Sequence, residues 1–265
     1  MSGLVDRYDL VILDLDGVVV LSDQPVAGAP EALARLRESG KTIRFVTNNA
    51  SRRAFDVAEL LTRLGMQVSE REVLTSAVVA AALLKRELGP NAKVLVVGAG
   101  ALAEEVAAQG LQVVDSAEAN PVAVVQGYGP EVGWRHLAEA CVAVRAGARW
   151  VATNTDRTLP TPRGALPGNG ALVAALATAL DRGPDIVVGK PEPELFLAAA
   201  RDAGAERSLV VGDRLDTDIA GAHRAGMDSL LVLTGVADER ALSRVPPDDR
   251  PTYVAPDLSG LWDVA

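Results

Sequence analysis

The chain has 265 residues and is 49% hydrophobic; at about 150 residues per domain this allows one large or two small packed domains and argues against disorder. Its net charge of −9 disfavours nucleic acid and anionic membrane as partners. Aromatic residues make up only 3%, so the core must be built from Val, Leu and Ala, as in helices packed on a buried parallel sheet. The single cysteine, Cys141, rules out an intramolecular disulfide and sits in an apolar helical stretch, as a small core residue would. Asp6, Arg7 and Asp9 precede the first apolar run, unlike a signal peptide, and the longest apolar runs fall short of the ~20 residues a membrane span needs. A cytoplasmic location is expected.

Short aliphatic runs then alternate with helical patterns. A strand is expected at 10–13, a helix at 30–39 with Pro30 at its start and Gly40 past its end, and a strand at 43–46. Ser51 reads as the N-cap of a helix running to Leu64 and stopped by Gly65, and a further helix spans 76–88. This alternation predicts a parallel sheet with right-handed crossovers. After Gly89-Pro90-Asn91 the pattern starts again, with strands at 94–97, 113–114, 122–125 and 150–152 and helices at 101–109, 132–146 and 171–181. The last part carries strands at 186–188, 209–211 and 230–233, a helix after Pro191 and a helix through 219–225 ended by Gly226. The Pro- and Asp-rich tail beyond Asp238 is expected to pack loosely.

Ligands of open parallel sheets bind at the carboxyl ends of the strands. Four strands are followed there by polar groups: Asp14-Leu15-Asp16-Gly17, Thr47-Asn48-Asn49, Gly189-Lys190-Pro191, and Gly212-Asp213 with Asp216, Thr217 and Asp218. Asp14 and Asp16 would share a face of an extended chain, and Asp213 and Asp218 add carboxylates. Crowded carboxylates repel, and a hard divalent cation relieves the repulsion; Mg2+ is the usual one where oxygen ligands meet phosphate. Lys190 adds a second positive charge, while Thr47 and Asn48 offer neutral donors ahead of a helix N-terminus, which suits an anion. His136 and His223 lie in helices away from these strand ends, Asp216 reads as a helix cap, and Arg52 and Arg53 read as a solvated first turn.

A separate turn, Gly98-Ala99-Gly100-Ala101-Leu102-Ala103, follows the strand at 94–97, opens a helix and precedes Asp115, so a nucleotide-binding reading stays open beside a plain strand-to-helix connection. A receiver-like domain would also gather Asp, Thr and Lys around Mg2+, but the Asp-x-Asp-Gly order and the long insert argue against it.

The four segments, Asp14-Leu15-Asp16-Gly17-Val18, Thr47, Lys190, and Gly212-Asp213 through Asp218, resemble the signature segments of the haloacid dehalogenase (HAD) superfamily, in order and over essentially the whole chain. The insert, with Ala152-Thr153-Asn154 and Asp156, is similar to the class IIA, NagD-like or p-nitrophenyl phosphatase subgroup. The resemblance implies a Rossmann-like parallel-sheet α/β core at 1–89 and 184–265 and an inserted α/β cap of the C2 type at 90–183 that carries substrate specificity. It implies that Asp14 attacks phosphorus to form an aspartyl-phosphate, and that Asp16 first gives and then takes a proton. The Asp14 carboxylate, the Asp16 backbone carbonyl and Asp213 would hold Mg2+, with Asp218 acting through water or orienting Asp213. Thr47, Asn48 and Lys190 would bind phosphate. The implied substrate is a small phosphorylated metabolite and the implied assembly a homodimer through the cap; a phosphomutase or phosphotransferase using the same intermediate is the alternative. Within the cap, the loop 154–170, with Asp156, Arg157 and Arg163, is the expected reader of the leaving group. One departure is that Ser22-Asp23 follows residues 18–21, where relatives often carry a Trp.

Overall fold

The computed structural model describes residues 3–21, 24–161 and 163–263, so Ser22 and Asp23 lie outside the described residues. Two compact units emerge, one of residues 1–47, 54–74 and 190–265 and the other of residues 48–53 and 75–189.

The first unit is built on a six-stranded sheet ordered Tyr253–Ala255, Asp228–Val232, Ser208–Gly212, Leu10–Asp14, Thr42–Thr47 and Val73–Thr75. The pairings among the first five strands in that order are all parallel. Every residue of Leu10–Asp14 and Ser208–Gly212 is buried, the continuous aliphatic run of a sheet covered on both faces. The helix Ala29–Glu38 takes Pro30 into its first turn, and Gly226, at φ +69°, ends Ala220–Ala225 in the left-handed conformation that glycine adopts without strain.

The second unit holds a five-stranded parallel sheet ordered Ile186–Val187, Arg149–Ala152, Ala123–Gln126, Lys93–Val97 and Gln112–Val114. Its core gathers around Trp150, fully buried with Val124, Ala143 and Leu176, and Cys141 packs half-buried against it.

Four expectations are corrected. The strand Ile186–Val187 pairs with Arg149–Ala152, so Lys190 follows a strand of the second sheet, not one of the sheet that carries Asp14. Ser51 is no N-cap: the helix starts at Ala54, and the Asn49 side chain accepts from both Ser51 N and Ser51 Oγ at 2.8 Å, turning the chain before helix can form. The tail is not loose, because Tyr253–Ala255 adds an edge strand and Leu258 and Leu261 are buried. The segment 154–170 is no plain loop but carries an antiparallel hairpin, Thr158–Thr161 with Gly164–Pro167. Among the described residues no helix is long and apolar enough to cross a membrane.

Candidate active site

Asp14 is the last residue of its strand, level with Val46 of the neighbouring strand, and the buried Thr47 follows one residue later. On the other side Ser208–Gly212 delivers Asp213 at its end. A turn of π-helix, Leu215–Ile219, then carries Asp218 back toward the strand, where the Asp218 carboxylate lies so close to Gly212 that any Cβ there would collide with it.

These placements bring three buried carboxylates together: oxygens of Asp14, Asp213 and Asp218 all lie within 4.8 Å of one another. Lys190 reaches the same point, its ammonium 2.6 Å from Asp14 Oδ1 and 2.7 Å from Asp218 Oδ1. Burial, and next the charge of Asp218, push the Asp14 carboxyl up to about 8, with Lys190 pulling the other way. Burial favours the neutral amine of Lys190, but the charges of Asp14 and Asp218 outweigh it and hold the lysine charged. Burial also raises Asp213, opposed by the Val236 N–H that donates to its Oδ2 at 2.7 Å.

The other oxygen of Asp213, Oδ1, is buried with no hydrogen-bond partner among the described residues. An orphaned buried carboxylate oxygen is costly unless a cation completes it. With two further carboxylates within reach, the oxygen-only donor set fits a hard divalent ion.

Asp16 departs from expectation. The strand ends at Asp14, the chain turns through Gly17 at φ +82°, and Asp16 is exposed rather than sharing the face of Asp14, although its charge still raises the Asp14 carboxyl. Asp216 lies inside the turn Leu215–Ile219, whose N-cap position is Arg214, and it pairs with Arg214 at 2.8 Å, which holds its carboxyl low. Gly17 and Gly235 are both required for close approach, because a Cβ on either would collide with the Asp213 carboxylate. The segment Thr234–Val236 is absent from the sequence-based candidates, yet it follows the strand Asp228–Val232 and so was open to the same strand-end argument.

Asn48, Asp156, Arg157 and Arg163 belong to the second unit. The Asn48 amide lies 3.1 Å from an Asp156 carboxylate oxygen, while Arg157 and Arg163 are exposed beside the hairpin. Arg53 is no free first-turn residue: it pairs with Glu104 at 3.0 Å. His136 closes its own helix start, its Nδ1 accepting from Gly133 N at 3.1 Å. In the Gly98–Gly100 turn the Ala99 N–H donates to the Tyr128 carbonyl at 3.2 Å, and Gly129 packs so close to the Gly98-Ala99 backbone that a Cβ on it would collide. The turn is therefore a packed strand-to-helix connection.

Three buried carboxylates and a buried lysine, brought together beside the strand that ends in Asp14, form a site suited to a hard divalent cation. The pattern of the family described as haloacid dehalogenase-like hydrolase matches residues 11–112, and a second, HAD-hydrolase-like pattern matches residues 187–261. The D-glycerol 3-phosphate phosphatase of Mycobacterium tuberculosis is 51% identical over 261 residues, 98% of this chain and 73% of the relative. The crystal structure of glycerol phosphate phosphatase from the same organism in complex with magnesium superposes with a TM-score of 0.94 at 49% identity, covering 99% of this chain and 79% of that one. The p-nitrophenyl phosphatase of Archaeoglobus fulgidus superposes with a TM-score of 0.90 at 34% identity, covering 97% and 99%. The chain belongs to the haloacid dehalogenase-like hydrolases, in their class IIA, NagD-like phosphatase branch.

Proposed function

We propose that this chain hydrolyses phosphoric monoesters of small metabolites through an aspartyl-phosphate on Asp14, with Mg2+ as cofactor. The observation that carries this is the buried, unpartnered Asp213 Oδ1 beside Asp14 and Asp218, with Lys190 as the counter-charge. Asp14, the Asp16 backbone carbonyl and Asp213 would hold the ion, with Asp218 behind them. Bound there, Mg2+ would offset the crowded negative charge and polarise the phosphoryl oxygens.

A carboxylate oxygen of Asp14 attacks phosphorus as the ester P–O bond breaks, and the leaving oxygen takes the proton of Asp16. Water then attacks the aspartyl-phosphate and gives its proton to Asp16, which frees Asp14 and inorganic phosphate. Lys190 neutralises nucleophile and phosphate, and Thr47 and Asn48 bind phosphoryl oxygens; phosphoryl transfer needs chiefly such positioning and charge stabilisation.

Residues 90–183 act as the cap that selects the leaving group, inserted between core segments 1–89 and 184–265. Arg157 and Arg163, exposed at the hairpin, supply charge for a second anionic group on the substrate. The name of the Mycobacterium tuberculosis relative makes glycerol phosphate the first ester to try. The enzyme is assigned to the cytoplasm, as a homodimer through the cap.

The test is phosphate release with Mg2+ from glycerol phosphate, phosphoglycolate, pyridoxal phosphate, a nucleoside monophosphate and 4-nitrophenyl phosphate. Many turnovers per chain are expected with at least one ester, and a loss of at least about 10³-fold in Asp14→Asn. Release of no more than one phosphate per chain would sink the reading, and transfer to a second sugar position without release would favour a mutase.

A further inference from the structure

The segment 48–53 is fastened within the second unit at both ends. At its start the Asn48 amide nitrogen lies 3.1 and 3.3 Å from the two carboxylate oxygens of Asp156. The Asn48 carbonyl accepts from Ser76 Oγ and from Asn154 Nδ2, both at 2.7 Å. At its end Arg53 meets Glu104 at 3.0 Å and Glu105 at 3.6 Å.

An ionised carboxylate only accepts hydrogen bonds, so the NH2 end of the Asn48 amide must face Asp156. The amide oxygen then turns toward Gly189, where a Cβ would stand 2.6 Å from it, so glycine leaves the space this orientation needs. Asp156 is itself firmly seated. Its N–H donates to Asn154 Oδ1 at 3.1 Å, and its carbonyl accepts from Gly170 N at 2.8 Å. Gly168 and Gly170 come so close that a Cβ on either would collide with the Asp156 or Thr155 carbonyl. A side chain that adapts to different leaving groups gains nothing from such a seat, whereas one that fixes a neighbour depends on it.

Granted the phosphatase reading above, on which this rests, we propose that Asp156 is a positioning residue: its carboxylate fixes the Asn48 amide, and with it the phosphate-binding loop, and does not read the leaving group.

The two roles separate in kinetics. A positioning residue acts on whatever binds as phosphate, so Asp156→Ala should lower kcat/KM by the same factor for 4-nitrophenyl phosphate and for alkyl phosphates, roughly tenfold or more. Inhibition by inorganic phosphate, which has no leaving group, should weaken in parallel. Asp156→Asn keeps an acceptor of the same size and should recover most of the phosphate affinity. In a double-mutant cycle, Asn48→Ala with Asp156→Ala should cost no more than the worse single change. Inhibition by phosphate that is unchanged in Asp156→Ala would overturn the proposal. So would a loss in Asp156→Asn that differs widely from one ester to another; this second variant decides the matter if Asp156→Ala fails to fold. Turnover by the wild-type enzyme, measured first, tests the phosphatase reading separately.

Discussion

Lys190 and Asp14 form a buried ion pair at 2.6 Å, and the same ammonium reaches Asp218 at 2.7 Å. One cation thus serves two carboxylates that water cannot solvate. Removing one partner of a buried pair leaves an uncompensated charge, at a cost of about 3–5 kcal/mol. Lys190→Met should therefore lower the stability of the metal-free protein by about that amount in urea unfolding, and added Mg2+ should restore part of it by supplying charge. Activity should fall at least ~100-fold even with saturating metal, since the phosphate loses its fixed cation. An unfolding midpoint equal to that of wild type without metal would contradict the buried pair.

Gly235 tests the shape of the Asp213 seat. A methyl group there would run into the Asp213 carboxylate, and the backbone imposes no positive φ that would confuse the result. Gly235→Ala should push Asp213 aside and weaken apparent Mg2+ affinity by about 10- to 100-fold, the scale found when support behind a metal ligand is lost. Gly100→Ala is the control: a Cβ there meets nothing within 4 Å, and it lies in the helix Gly100–Ala108. Metal titration of both variants should separate them, and equal affinities would refute the crowding account.

Two of the candidate site residues were legible because they stand at the ends of buried aliphatic runs, where a polar residue has no packing reason to be. Asp14 after Leu10–Leu13 and Asp213 after Leu209–Gly212 follow that rule directly. The partner of a strand was not legible: nothing local in Ile186–Val187 tells which of two sheets it joins, since that is decided by the strand it pairs with. The hairpin was hidden by Pro160, Gly164 and Pro167, which read as loop, although a two-stranded ribbon tolerates proline on its edges. Ser51 failed as a cap because Asn49, two residues earlier, offers the stronger local acceptor. The grip of Asp156 on Asn48 joins residues 108 apart and leaves no local pattern at all.

The electrostatics of the acid cluster predict how metal binding depends on pH. Without a cation, burial and Asp218 push the Asp14 carboxyl up to about 8, so near neutrality the cluster holds a proton that a ligand carboxylate must lose. The protonated form dominates below that value, and Mg2+ takes only the ionised form. Apparent Mg2+ affinity should thus rise with pH up to about 8 and fall by up to about tenfold for each unit below it. Calorimetry in buffers of different ionisation enthalpy should detect the released proton near neutral pH. An affinity that stays flat between about pH 6 and 8 would show that the proton is not there.

Asp16 stands exposed two residues beyond the buried Asp14, and in the proposed reaction it gives a proton in the first half and takes one from water in the second. The two halves need it differently. An alkoxide leaving group requires its proton, so Asp16→Asn should slow hydrolysis of an alkyl phosphate by about 10²- to 10⁴-fold. The 4-nitrophenolate ion leaves without protonation, so attack by Asp14 should continue on that ester, while hydrolysis of the aspartyl-phosphate, deprived of its base, should lag. The variant should then release a rapid burst of about one nitrophenol per chain followed by slow turnover, the signature of an accumulated covalent intermediate. With an alkyl phosphate the first step is itself slow and no burst should appear. Stopped-flow measurement on both esters distinguishes the steps: equal, burst-free slowing would mean that Asp16 serves neither as the acid nor as the base.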